Sequence, residues 1–185
     1  MVDILNIISF KPEQIPDIKN VGGKALSLIQ LTKFNFNVPP GIIITCNFFK
    51  EWMNLIQSTP NWSILINEIK DLNKTENNLK GIIEYGKSNL KLTEQQINDI
   101  NKQLNTIFKE NYKKEIYAVR SSSPEEDLEE ASFAGEYETK LGVTFENLEK
   151  NIIETFLSVF NFRVLKYKLE KNLNYYNFMI KNYPI

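Results

Sequence analysis

Apolar positions along the chain recur with two periods, near 3.6 residues over most of its length and two residues in a few short stretches, and the changes of period mark its elements. Behind the Val21-Gly22-Gly23-Lys24 turn, Ala25, Leu28, Ile29 and Leu31 fall at helical spacing, so the turn feeds a helix with Lys24 at its start. Val38-Pro39-Pro40-Gly41 introduces the β-rich run Ile42 to Thr45, a strand. Asn47 then reads as the N-cap of a helix that buries Phe48, Phe49, Trp52, Met53 and Ile56. From Asn61 to Asn111 the pattern is helical with one polar face. Ile64, Leu65, Ile69 and Leu72 form the first apolar stripe; Ile97, Ile100, Leu104, Ile107 and Phe108 form a later one, opened by a Thr93–Gln96 capping box.

Ile116 to Val119 is a short β run ending at Arg120, and Ser123-Pro124-Glu125-Glu126 supplies an N-cap, a first-turn proline and an N3 glutamate for another helix. Between Phe133 and Val143, alternation with Ala134, Glu136, Glu138 and Lys140 predicts one or two strands of a partly covered sheet. Leu148, Ile152, Phe156, Leu157, Phe160 and Val164 predict one long closing helix. No repeat or low-complexity linker divides the chain, so residues 1–185 read as a single domain of the α/β (α+β) class, with a helical insertion around 61–111 as scaffold.

Composition narrows the chemistry. With 185 residues, 42% hydrophobic and 24% charged, the chain supports one sizeable core. A net charge of -1 lacks the basic surface that non-specific nucleic-acid binding requires. No long apolar run or signal peptide is visible and the lone Cys46 has no intramolecular partner for a disulfide, which fits a cytoplasmic protein; Cys46, behind three isoleucines, reads as a buried small hydrophobe. The absence of histidine excludes His-based triads and imidazole metal sites, leaving Lys, Arg, carboxylates, hydroxyls and backbone amides. Arg120 and Arg163 are the only arginines in a lysine-rich chain, which points to a need for guanidinium geometry; Arg163 also reads simply as an anchor for the closing helix.

Three segments could carry chemistry, each with a plainer alternative. Gly22-Gly23-Lys24 places bare backbone and an ammonium at a helix start, a phosphate cradle or an ordinary turn; it lacks the Walker A pattern, since Ala25 follows the lysine. In Tyr117-Ala118-Val119-Arg120-Ser121-Ser122-Ser123 a strand delivers an arginine into a hydroxyl-rich loop, either to grip phosphate oxygens bidentately or to pair with the acids at 125–130. Those acids, Glu125, Glu126, Asp127, Glu129 and Glu130, are accounted for by the helix dipole as well as by a metal. In Ser132 to Thr139, Gly135 and Thr139 share one face of an extended segment. They could meet one ligand, or be a glycine kink and a half-buried threonine.

Taken together and in this order, VGGKALSLIQL, NVPPGIIIT, YAVRSSSPEED and SFAGEYET closely resemble the N-terminal ATP-binding region of phosphoenolpyruvate synthase, pyruvate phosphate dikinase and rifampicin phosphotransferase, from about Ile15 to about Lys168. The resemblance implies the first part of an ATP-grasp nucleotide-binding domain. It assigns Lys24, beside Gly22 and Gly23, and Arg120 to the nucleotide phosphates, Gly135 and Thr139 to covering them, and Ser121 and Ser122 to supporting roles. It implies ATP and Mg²⁺, the metal ligands falling outside this chain. Family enzymes pass the phosphate through a histidine on a swivelling domain to pyruvate or rifampicin. The chain has no histidine, and its apolar tail Tyr175 to Ile180 reads as core lacking a partner, so an incomplete, truncated domain is expected. The expected function is an ATP-binding module without its own phosphohistidine and acceptor domains. The alternative is a non-catalytic module that docks on a separately encoded chain or self-associates through its C-terminal edge.

Overall fold

The computed structural model describes residues 6–69, 71–122, 139–163 and 165–166. Strand β1 (Ile7–Ser9) leads into helix α1 (Ile18–Lys33), and the chain returns as β2 (Ile42–Ile44), antiparallel to β1 with Ile8 opposite Ile43. A 3-10 turn, Cys46–Phe49, runs into α2 (Lys50–Gln57), followed by α3 (Pro60–Glu68), α4 (Leu72–Asn89) and α5 (Glu94–Phe108). A second antiparallel pair, β3 (Tyr117–Arg120) and β4 (Thr139–Val143), precedes α6 (Leu148–Leu157). Helices mixed with two small sheets agree with the expected α/β nucleotide-binding class.

Side-chain alternation divides the β1–β2 ribbon between two cores. Ile43 faces Val21, Ala25 and Ile29 of α1, whereas Ile7 and Ile44 join the larger core. The larger core centres on aromatic rings: Phe49 stacks on Phe156 at 5.3 Å, Trp52 meets both, and Phe160 links Phe156 to Trp62. Pairs of this kind contribute about 0.5–1.5 kcal/mol each beyond the area they bury. Three long-range hydrogen bonds fix the turn and loop around the cluster. The Trp52 indole donates to the Lys91 carbonyl at 3.0 Å, Gln96 Nε2 donates to the Phe48 carbonyl at 2.9 Å, and the Leu92 amide donates to Glu149 Oε1 at 2.7 Å. The region 61–111 is helical, as the pattern suggests.

The structure corrects several expectations. Asn47 caps no helix: the 3-10 turn starts behind Thr45, and Asn47 Nδ2 instead donates to Asn6 Oδ1 at 2.7 Å. Ile64, Ile97 and Leu31 belong to apolar stripes yet are exposed, because each lies at the margin of its stripe. The closing helix is not continuous. It ends at Leu157, passes through a 3-10 turn at Ser158–Phe160, and is interrupted at Asn161, whose extended backbone and side chain cap the following turn by accepting the Arg163 amide at 2.9 Å. Strand β1 had no separate signature in so short a segment. The helix start at Ser123-Pro124, the acids 125–130, Gly135, the strand pattern before Thr139, Val164 and the tail 175–180 lie outside the described residues.

Candidate functional site

Helix α1 is broken near its beginning. Asp17 Oδ1 accepts the Lys19 amide and starts a first turn, but Gly22 has φ 76° and ψ 169°, a region open essentially to glycine alone. The helix therefore restarts at Gly23, and Lys24 occupies the first turn of the restarted segment. At its far end the helix closes with Asn35 in the left-handed region. The Asn35 and Phe36 amides donate back to the Thr32 and Leu31 carbonyls, a Schellman arrangement.

The break is pressed against the loop that leaves β3. A Cβ on Gly22 would lie 2.3 Å from the Ser122 carbonyl oxygen and 2.4 Å from its Oγ, so only glycine permits this approach. Ser122 Oγ accepts the Ala25 amide at 3.0 Å, acting as an N-cap supplied from 97 residues away. Lys24 Nζ donates to the Ser121 carbonyl at 3.4 Å. Both serines are buried, at 2% and 4% exposure, as are Gly22 and Gly23, while Lys24 is half-buried and Arg120 exposed.

The β3–β4 ribbon supplies the other half. Arg120 stands directly opposite Thr139, so their side chains project from one face, while Val119 and Lys140 project from the other. The second face is taken up by α6: Val119 is buried and Lys140 Nζ pairs with Glu154 Oε2 at 3.2 Å. Arg120 and Thr139 are exposed on the opposite face. The structure thus brings Gly22, Gly23, Lys24, Ser121 and Ser122 together and places Arg120 at the same strand end with Thr139 across from it. The family resemblance implies that these residues converge; the Ala25–Ser122 contact that joins them has no local signal, since 97 residues separate the pair.

The donor set suits an oxyanion, with an ammonium, a guanidinium, a hydroxyl and a glycine-shaped backbone, and no carboxylate among those residues. Beside it an apolar cavity of about 450 Å³ opens between β2, β3 and α5, with Pro39, Pro40, Ile42, Leu104, Tyr117 and Arg120 among its lining residues. Cys46, expected to be buried, is half-buried: its Sγ donates to the Lys19 carbonyl at 3.0 Å, and desolvation pushes its thiol up to about 12. Among the described residues no helix is long and apolar enough to cross a membrane, and no three His, Cys, Asp or Glu residues converge as a metal site.

Comparison with known proteins points to one family for the chain. The model of the pyruvate phosphate dikinase AMP/ATP-binding domain matches residues 18–180. The chain is 36% identical over 152 residues to an uncharacterized phosphotransferase, YvkC, of Bacillus subtilis (strain 168), covering 82% of this chain and 16% of that protein. It is 33% identical over 164 residues to a phosphoenolpyruvate synthase of Aquifex aeolicus (strain VF5), covering 83% and 19%. It is 26% identical over 157 residues to a rifampicin phosphotransferase of Bacillus subtilis (strain 168), covering 84% and 18%. The chain spans less than a quarter of the length of each of these relatives. On the match to residues 18–180 and the fold that carries them, the chain belongs to the pyruvate phosphate dikinase AMP/ATP-binding domain family.

Proposed function

We propose that this chain holds the phosphate end of ATP, with Lys24 and Arg120 as the groups that grip the phosphate oxygens. The observation that carries the reading is the junction of two distant elements. The glycine break before Lys24 packs onto Ser122, and the Lys24 ammonium lies over the Ser121 carbonyl, one residue beyond Arg120. Gly22 and Gly23 allow backbone to approach the anion, Thr139 offers a hydroxyl from the Arg120 face, and Gly135 is proposed to close over the phosphates with it. Mg²⁺ would arrive with ATP, since such an ion is commonly held by the phosphates and one or two carboxylates; those carboxylates are assigned to no residue here. When bound, the ion would neutralise phosphate charge.

In a phosphoryl-transfer reaction these groups would orient the phosphates and offset charge without forming a covalent bond. Two of the relatives carry the names phosphoenolpyruvate synthase and rifampicin phosphotransferase, and this chain is proposed to play the ATP-holding part of a related reaction. With no histidine in its 185 residues, any phosphohistidine step and the choice of acceptor fall to other sequence. Titration calorimetry with Mg-ATP tests the reading. Lys24→Ala and Arg120→Ala should each weaken binding about tenfold or more, the order expected for a charge-assisted contact. Equal affinity in the wild type and both variants would sink the assignment.

A docking role is a second reading, favoured by Leu141 and Ile116, which the β3–β4 region leaves 76% and 63% exposed. Light scattering on the purified chain tests it. A concentration-independent monomer with full Mg-ATP affinity would count against self-association.

A further inference from the structure

We infer that Ser122 is a positioning residue that couples the two halves of the phosphate site, and that its hydroxyl acts on ATP through Lys24 rather than by touching the nucleotide. The inference rests on the proposed phosphate role of Lys24 and Arg120. Its own grounds are geometric. The restarted segment of α1 begins at Gly23, directly after a backbone conformation that only glycine adopts readily, so no side chain just ahead of it is placed as an ordinary cap. The hydroxyl that accepts the Ala25 amide comes instead from Ser122, two residues past Arg120 in sequence and 97 away from Ala25.

Two further contacts lock the same pair of segments. Gly22 lies so close to Ser122 that a Cβ would sit 2.4 Å from its Oγ, and Lys24 Nζ donates to the neighbouring Ser121 carbonyl. Ser122 is only 4% exposed, and its Oγ faces the Gly22–Ala25 backbone. The latch thus fixes where the first turn of the restarted segment of α1, and hence the Lys24 stem, stands relative to the strand end that carries Arg120. Loss of the hydroxyl would let that turn fray while leaving both cations in the chain.

A double-mutant cycle on the full chain, read by Mg-ATP titration, separates this from general support. Ser122→Ala should weaken Mg-ATP about fivefold, the usual worth of an N-cap, and should raise exchange of the Ala25 amide while the far-ultraviolet spectrum stays that of the wild type. In a Lys24→Ala background the same substitution should change affinity by less than about twofold, because the group it positions is already gone. An equal loss in both backgrounds, a protected Ala25 amide in Ser122→Ala, or a Ser122→Ala chain that no longer folds would each overturn the latch. If Lys24→Ala and Arg120→Ala weaken binding but Ser122→Ala does not, the latch alone fails. If neither cation variant weakens binding, the phosphate-site reading falls with it.

Discussion

At Gly22 one residue type answers two demands. Its φ of 76° with ψ of 169° lies where L-residues are strained, and its Cα approaches the Ser122 backbone too closely to admit a methyl group. Gly22→Ala should therefore destabilise the fold by about 2 kcal/mol or more, from backbone strain of about 1–3 kcal/mol and the displaced loop. Urea denaturation would show it as a lower midpoint at unchanged slope. Cys46 gives a second test. Its folded thiol titrates near 12 against an ordinary 9.0, so the folded state prefers the neutral form. That preference contributes fully below pH 9 and is lost as pH rises from 9 towards 12, because the unfolded thiol ionises first. Maleimide or Ellman's reagent at pH 8 should react slowly with native protein and fully in denaturant. Rapid reaction of the native thiol would contradict the burial. Lys24 and Arg120 were legible as candidates because glycines and a strand end flank them. The contact between their segments was not, since no periodicity reports a cap 97 residues distant.

Among elements, local signals proved readable where one segment contains both partners. Thr93 and Gln96 form the full capping box that their spacing suggests: Thr93 Oγ1 accepts the Gln96 amide at 3.2 Å and Gln96 Oε1 accepts the Thr93 amide at 3.0 Å. Thr93→Ala should cost about 1 kcal/mol by chemical denaturation, slightly more if Gln96 also releases its hold on the Phe48 carbonyl. Asn161 shows why the closing helix is not continuous. Apolar spacing continues through Phe160, but an asparagine side chain that bonds its own following turn overrides it. Helix α6 also buries a defect. The Thr155 hydroxyl is fully buried without a hydrogen-bond partner among the described residues, which costs about 1–3 kcal/mol of desolvation. Thr155→Val keeps the shape and removes the hydroxyl, so its denaturation midpoint should rise by the equivalent of about 1 kcal/mol; a fall would reveal a partner for that oxygen.

Across the described residues, the two halves of the candidate site rest on different cores, Lys24 on the smaller and Arg120, beside Val119, on the larger. The α/β class and the helical character of 61–111 could be read in the sequence because core residues announce themselves by period. Which sheet faces which helix could not, since Ile42, Ile43 and Ile44 are alike in sequence while Ile43 and Ile44 serve different cores. The ring cluster around Phe156 belongs to the larger core, whereas Lys24 rides on α1 over the smaller one. Phe156 is fully buried and contacts Phe49, Trp52 and Phe160. Phe156→Leu leaves a partial cavity and loses those ring contacts, so about 1–3 kcal/mol should be lost, a large share of the total stability of an ordinary domain but not all of it. Since Gly22 and Ser122 are not among the residues of that core, the folded fraction should keep its Mg-ATP affinity within about twofold. Calorimetry at low temperature, where the variant remains folded, reads the affinity, and urea denaturation reads the stability. A tenfold loss of affinity alongside an intact fold would mean that the aromatic core sets the spacing of the β3 end and α1. The larger core would then be part of the proposed phosphate site's geometry rather than its support.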